Sequence, residues 1–158
     1  MKDITADVTG LKATSVKKRR EAAIEMGRSG NPSVIPSLVC ALADPHPGVR
    51  VEAALALGKL DDSAAVPALV AALRDTEPEV RSSVVAALGR IRDPAAAVPL
   101  LACLSDPEVS IRTGAATVLG KLGDQRAIDL LTRMTTDPIP EVREAAESAR
   151  VRIRKRHR

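Results

Sequence analysis

The chain has 158 residues and a formal net charge of +4, and it is 45% hydrophobic without a single Phe, Tyr or Trp. That length suits one domain with a core of Leu, Val, Ile and Ala, and nothing in it suggests two. The missing aromatics exclude single-strand nucleic-acid binding on a stacking platform. No apolar run approaches the roughly 20 residues that cross a bilayer, and the opening MKDITADVTG lacks the apolar stretch of a secretory signal, so the expectation is a cytoplasmic protein with no membrane partner.

The predicted elements are helical throughout and recur. Residues 3–12 read as a lone second helix covering the N-terminal end, because Ile4, Val8 and Leu11 lie 31 residues before Ile35, Val39 and Leu42. Residues 13–43 form the first two-helix unit, with a weak start at Ala13. In residues 44–74, Pro45 and Pro47 favour a first helical turn at or just after Pro47. Val49, Ala53, Ala54, Leu57 and Leu60 then form one apolar stripe at spacings of three and four. Gly58 lets a neighbouring backbone approach or the helix end, and Asp61, Asp62 and Ser63 supply caps for a second helix. That helix runs to about Arg74 and buries Val66, Leu69, Val70 and Leu73. Residues 75–105 and 106–136 repeat the pattern. Residues 137–158 form a polar capping helix with a frayed basic tail, because Arg150 and Val151 replace the leucine and glycine of the earlier units.

Aligned at this step of 31, four columns emerge. Asp44, Asp75, Asp106 and Asp137 make one, and Arg19, Arg50, Arg81, Arg112 and Arg143 another. Gly27, Gly58, Gly89 and Gly120 share a third, and Leu38, Leu69, Leu100 and Leu131 a fourth. A spacing held by four columns is a repeat, not a composition bias. Arginine is suited to forked pairing with a carboxylate. The Asp and Arg columns are therefore read as a structural ladder, each arginine pairing with the aspartate six residues earlier or with loop carbonyls of the adjacent repeat.

The unit resembles the HEAT-like repeats first described in phycobilin lyases, which read D-x-x-P-x-V-R, then A-A-x-A-L-G-x-L/I-G-D, then a helix with A-V-P-x-L. The counterparts here are Asp75, Pro78, Val80 and Arg81, then Ala86, Ala87, Leu88, Gly89 and Ile91, and in the preceding unit Val66, Pro67 and Leu69. The resemblance covers residues 13–149. It implies an all-α fold, an α-solenoid or superhelix of stacked antiparallel two-helix repeats with capping helices at both ends. Residues 106–136 depart from the pattern, with Pro107 two positions before the proline column and Asp129 in place of the second-helix proline.

Catalytic constellations are missing. His46 and His157 stand far apart with no second ligand at helical spacing, so no metal site is expected. Neither histidine is placed to activate Cys40 or Cys103, which read as small buried or half-buried residues beyond disulfide reach of each other. No enzyme activity and no cofactor are expected.

What remains is binding. In such solenoids the second helices line the concave side, where partners sit. That surface reads as a floor of Ala64, Ala65, Ala68 and Ala71, then Ala95, Ala96 and Ala102. Only the last unit offers polar handles, namely Gln125, Arg126, Asp129, Thr132 and Arg133, which are assigned as the partner site. The reading is a monomeric, non-catalytic scaffold that binds another protein through an acidic or helical segment. A second reading is a non-specific nucleic-acid accessory. Residues 44–136 hold 10 basic and 12 acidic side chains, whereas residues 149–158 hold six basic and none acidic. Arg152, Arg154, Lys155, Arg156 and Arg158 would then supply phosphate contacts. A third, a chromophore-lyase-like role, follows from the resemblance alone.

Overall fold

The computed structural model describes residues 9–158. Most of the expected N-terminal half-repeat, residues 3–8, lies outside the described residues; of the rest, Thr9 and Gly10 are helical and the chain turns at Leu11 and Lys12. Nine α-helices occur among the described residues, and no strand does. They group into two compact units, one ending at Ile91 and one running Arg92–Arg158.

The first unit holds α1 (Val16–Ser29), α2 (Ile35–Ala41), α3 (Pro47–Leu60), α4 (Val66–Ala72) and α5 (Pro78–Ile91). The second holds α6 (Ala97–Cys103), α7 (Val109–Leu122), α8 (Ile128–Met134) and α9 (Pro140–Arg156). Long and short helices alternate as the repeat predicts. Within the first unit α1 packs on α3 and α3 on α5, while α2 packs on α3 and α4 on α5. In the second, α7 packs on α9, α6 on α7 and α8 on α9. Each short helix thus leans on the long helix that follows it.

The sequence punctuates these helices at one register. Proline opens α3, α5 and α9 at the first helical position, where its missing N–H costs nothing. Each short helix is entered through one 3₁₀ turn, whose N-cap side chain accepts the N–H two residues on: Asn31 from Ser33, Asp62 from Ala64, Asp93 from Ala95 and Asp124 from Arg126. This turn tucks its last residue inward. Ala65 and Ala96 are therefore buried, not part of the exposed alanine floor that the sequence suggests. The residue after each of the first four long helices takes a left-handed backbone, at Gly30, Asp61, Arg92 and Gly123.

The core is the predicted aliphatic stripe. Val49, Ala53, Ala54 and Leu57 of α3 are buried, as are Val66, Leu69 and Leu73, while Leu60 and Val70 are half-buried. Leu57, Leu88 and Leu119 are all 0% exposed. Between long helices the glycine column permits close approach. A Cβ on Gly27 would stand 2.7 Å from the Ala56 Cα, and on Gly58 or Gly120 2.8 Å from the Ala87 or Ala149 Cα. Cys103 is buried, as expected, whereas Cys40 is exposed. They occupy neighbouring columns of the short helix: Cys40 shares its column with exposed Ala71, and Cys103 with buried Met134.

Candidate protein-interaction site

All five arginines of the column stand early in a long helix and make the same internal grip. One Nη1 donates to two carbonyls of the loop just before, five and six residues back. These are Ala13 and Thr14 for Arg19, Asp44 and Pro45 for Arg50, and Asp75 and Thr76 for Arg81. Arg112 holds Asp106 and Pro107, and Arg143 holds Asp137 and Pro138. In Arg19 and Arg50 the fork left over, Nε and Nη2, points to the following repeat. Arg19 clamps Asp44 at 2.7 and 3.0 Å, and Arg50 clamps Asp75 at 2.7 and 2.8 Å. The expected partners are thus corrected. The aspartate six residues earlier contributes its backbone carbonyl, while the carboxylate comes from 25 residues later. The physical reason is direction: an arginine anchored by Nη1 to its own loop can aim its fork only outward.

Each column aspartate also turns its own loop, accepting the N–H two residues on: His46 for Asp44, Glu77 for Asp75, Glu108 for Asp106 and Ile139 for Asp137. Burial pushes the carboxyls of Asp44 and Asp75 up. The arginine fork, that backbone N–H and neighbouring positive charge outweigh it and hold both below the usual carboxylate range. In the second unit the Arg112 to Asp137 rung is looser, with Nε 3.6 Å from Oδ2 and without a hydrogen bond.

The five residues assigned from sequence to partner binding, Gln125, Arg126, Asp129, Thr132 and Arg133, are all exposed on α8 or the turn before it. Two are already occupied. Arg126 lies 2.6 Å from Asp124, whose hydrogen bond holds its guanidinium above the ordinary arginine range, and the Thr132 hydroxyl donates to the Ile128 carbonyl.

Gln125 and Asp129 share a groove of about 480 Å³ with Ile128, Ile153, Arg154, His157 and Arg158. The C-terminal segment is therefore not a frayed tail. Helix α9 continues through Arg156, whose Nη1 donates to the Lys121 and Leu122 carbonyls at 3.0 Å, and His157 Nε2 lies 2.8 Å from the Gly123 carbonyl. These contacts cap the last carbonyls of α7. Of the tail residues proposed as phosphate contacts, Arg156 is tied back in this way, while Arg152, Arg154, Lys155 and Arg158 stay exposed. Ile128, Ile153 and His157 were not among the sequence candidates. Their signal was the length of α9, 17 residues against 14 for α7, which carries the tail across the end of α8.

Among the described residues no cluster of His, Cys, Asp and Glu is arranged to hold a metal ion, and no helix is long and apolar enough to cross a membrane.

The HEAT repeats family matches residues 8–88 and 66–150. A chain of the complex of CpcE and CpcF of phycocyanin lyase from Nostoc sp. PCC7120 is similar with a TM-score of 0.86 and 24% identity, covering 98% of this chain and 66% of that one. This chain thus spans slightly less than two thirds of that relative. A designed armadillo repeat protein in complex with the peptide (KR)4 has a TM-score of 0.71 and 21% identity, covering 95% of this chain and 81% of that one. A chain of the condensin Cnd3-Cnd2 subcomplex of S. pombe has a TM-score of 0.77 and 23% identity, covering 92% and 22%. No curated protein matches the sequence. Likeness at this identity shows the fold, an α-solenoid of two-helix repeats. With family matches that together run from residue 8 to residue 150, and caps and close glycine contacts recurring at one step, the chain belongs to the HEAT repeats family.

Proposed function

We propose that this protein is a non-catalytic binding module that holds another polypeptide on the exposed face of its second helices, with the principal contacts on α8. The groove beside α8 carries the reading. It joins an apolar floor of half-buried Ile128, over buried Ile153, to a rim of Gln125, Asp129, Arg154 and Arg158. A floor of that kind supplies burial and its rim supplies orientation. Without Trp or Tyr, arginine is the one enriched interface residue left, so the affinity is modest. Two of the similar structures named above are complexes of repeat proteins with polypeptides, which supports a polypeptide as the class of ligand.

The lyase named in one of those structures is said of that complex and is not part of this proposal. The chain has no Phe, Tyr or Trp to stack against a tetrapyrrole.

The experiment is affinity capture from native lysate with the chain and with its Arg126→Glu, Asp129→Arg, Arg133→Glu triple variant, all three side chains being exposed. Partners lost from the variant support the reading. An unchanged set of partners sinks it. A salt titration of any captured complex separates polypeptide binding from phosphate binding, which loses affinity steeply and linearly in log–log form.

A further inference from the structure

The two short helices of the second unit expose three matched columns. On α6 and its entry turn these hold Ala95, Val98 and Ala102, all exposed, with Val98 at 52%. On α8 and its entry turn they hold Arg126, Asp129 and Arg133. Arg126 is bound to Asp124, whereas Asp129 and Arg133, exposed one turn apart, form no ion pair among the described residues. Helix α6 packs on α7 and α8 on α9, and α7 packs on α9, so the two exposed faces are neighbours. Val98 and Ala102 stay exposed with α8 and α9 following them, so their columns face away from the stack. We propose, resting on the α8 reading, that this face seats an amphipathic helix of a partner polypeptide, antiparallel to α8 and carrying a glutamate four residues before a lysine.

Three observations define the occupant. Val98 stands between two alanines as an isolated knob, which fits the hole among four side chains of a facing helix. The backbone groups of α6 and α8 are spent inside those helices, so the face offers no main-chain partners to an extended strand, while a helix brings its own already satisfied. The charges then set direction. Asp129 and Arg133 stand about 6 Å apart at Cβ, the spacing of residues i and i+4 on a facing helix. A parallel helix meets them with its cation first, an antiparallel one with its anion first. Glutamate four residues before lysine is the order that also stabilises the partner helix itself, and antiparallel alignment sets the two helix dipoles in opposition.

The test uses the full chain, labelled with ¹⁵N and methyl ¹³C. The probe is the capped peptide Ala-Ala-Gln-Ala-Ala-Glu-Ala-Gln-Leu-Lys-Ala-Ala-Gln-Ala-Ala, and its control exchanges the glutamate and the lysine. The expected result is a saturable shift of the Val98 methyl and Arg133 Nε–Hε signals, with the control at least about fivefold weaker. The Asp129→Arg, Arg133→Asp double variant should reverse that preference, which a difference in peptide helicity alone cannot do. A nitroxide on the N-terminus of the probe should broaden the amides of Thr135 and Thr136, not those of Gln125 and Arg126. No saturable shift overturns the proposal, as does an equal response to the two peptides or broadening at Gln125 and Arg126. Shifts confined to Ile128, Ile153 and Arg154 overturn it too, while leaving the groove reading in place. Failure of the probe alongside partners lost from the triple variant likewise removes only the helical occupant, so the two failures are distinguishable.

Discussion

Arg50 holds the carboxylate of Asp75, 25 residues ahead, while gripping the backbone carbonyl of Asp44, six residues behind. One side chain therefore closes its own loop and secures the next. Asp75→Asn removes the charge and keeps the shape, and costs about 1 to 2 kcal/mol at neutral pH. The pH dependence follows from the sign of the shift. The folded carboxyl lies below its unfolded value of about 3.9, so its contribution is complete above that value and is lost as pH falls through the folded one. Urea midpoints from pH 7 to pH 2.5 should fall below about pH 4 in the wild type and less steeply in the variant.

The buried leucines carry the aliphatic core. Leu57→Ala, Leu88→Ala and Leu119→Ala each remove a side chain that is 0% exposed, and each should cost about 2 to 5 kcal/mol in denaturant unfolding. Values below about 1 kcal/mol at all three would contradict the packing described.

Glycine positions separate space from backbone conformation. Gly58→Ala places a methyl 2.8 Å from the Ala87 Cα, so overpacking of about 1 to 3 kcal/mol outweighs the helix propensity of about 1 kcal/mol that alanine adds. Three residues on, the sign reverses. Asp61 adopts φ 54°, a conformation that its column equivalents Gly30 and Gly123 reach without a side chain. Asp61→Gly should raise the thermal midpoint, by an amount equivalent to at most about 1 kcal/mol.

Removal of the last nine residues is a structural change as much as an electrostatic one. It deletes Ile153, which is 1% exposed, together with the Arg156 and His157 contacts to the end of α7. Circular dichroism should show a destabilised chain after truncation. Arg152→Glu, Arg154→Glu and Arg158→Glu change exposed side chains only and should leave the melting curve within about 0.5 kcal/mol of wild type.

Much of this was legible from four columns at one spacing. The aliphatic stripe of α3, the proline starts and the Asp62 cap follow from local rules that operate within a turn or two of helix. The rung partners were not legible. An aspartate column and an arginine column at constant offset are equally consistent with pairing inside a repeat and between repeats. Only the aim of the guanidinium, set by its Nη1 anchor, decides between them. The exposure of Cys40 was not legible for a similar reason, since one residue of rotation on a short helix exchanges core for solvent, while Cys103 is buried as its sequence reading has it. The groove at α8 escaped because Ile153 and His157 come to it from the far end of α9.

The forward reach of the arginine fork gives the molecule a grammar. A copied repeat brings half of two different latches, an arginine for its successor and an aspartate for its predecessor. Duplication of a whole unit therefore preserves every latch, whereas a single-residue deletion in a loop misaligns one. An insertion of any length other than a whole step of 31 would therefore separate an arginine from the aspartate that its fork holds.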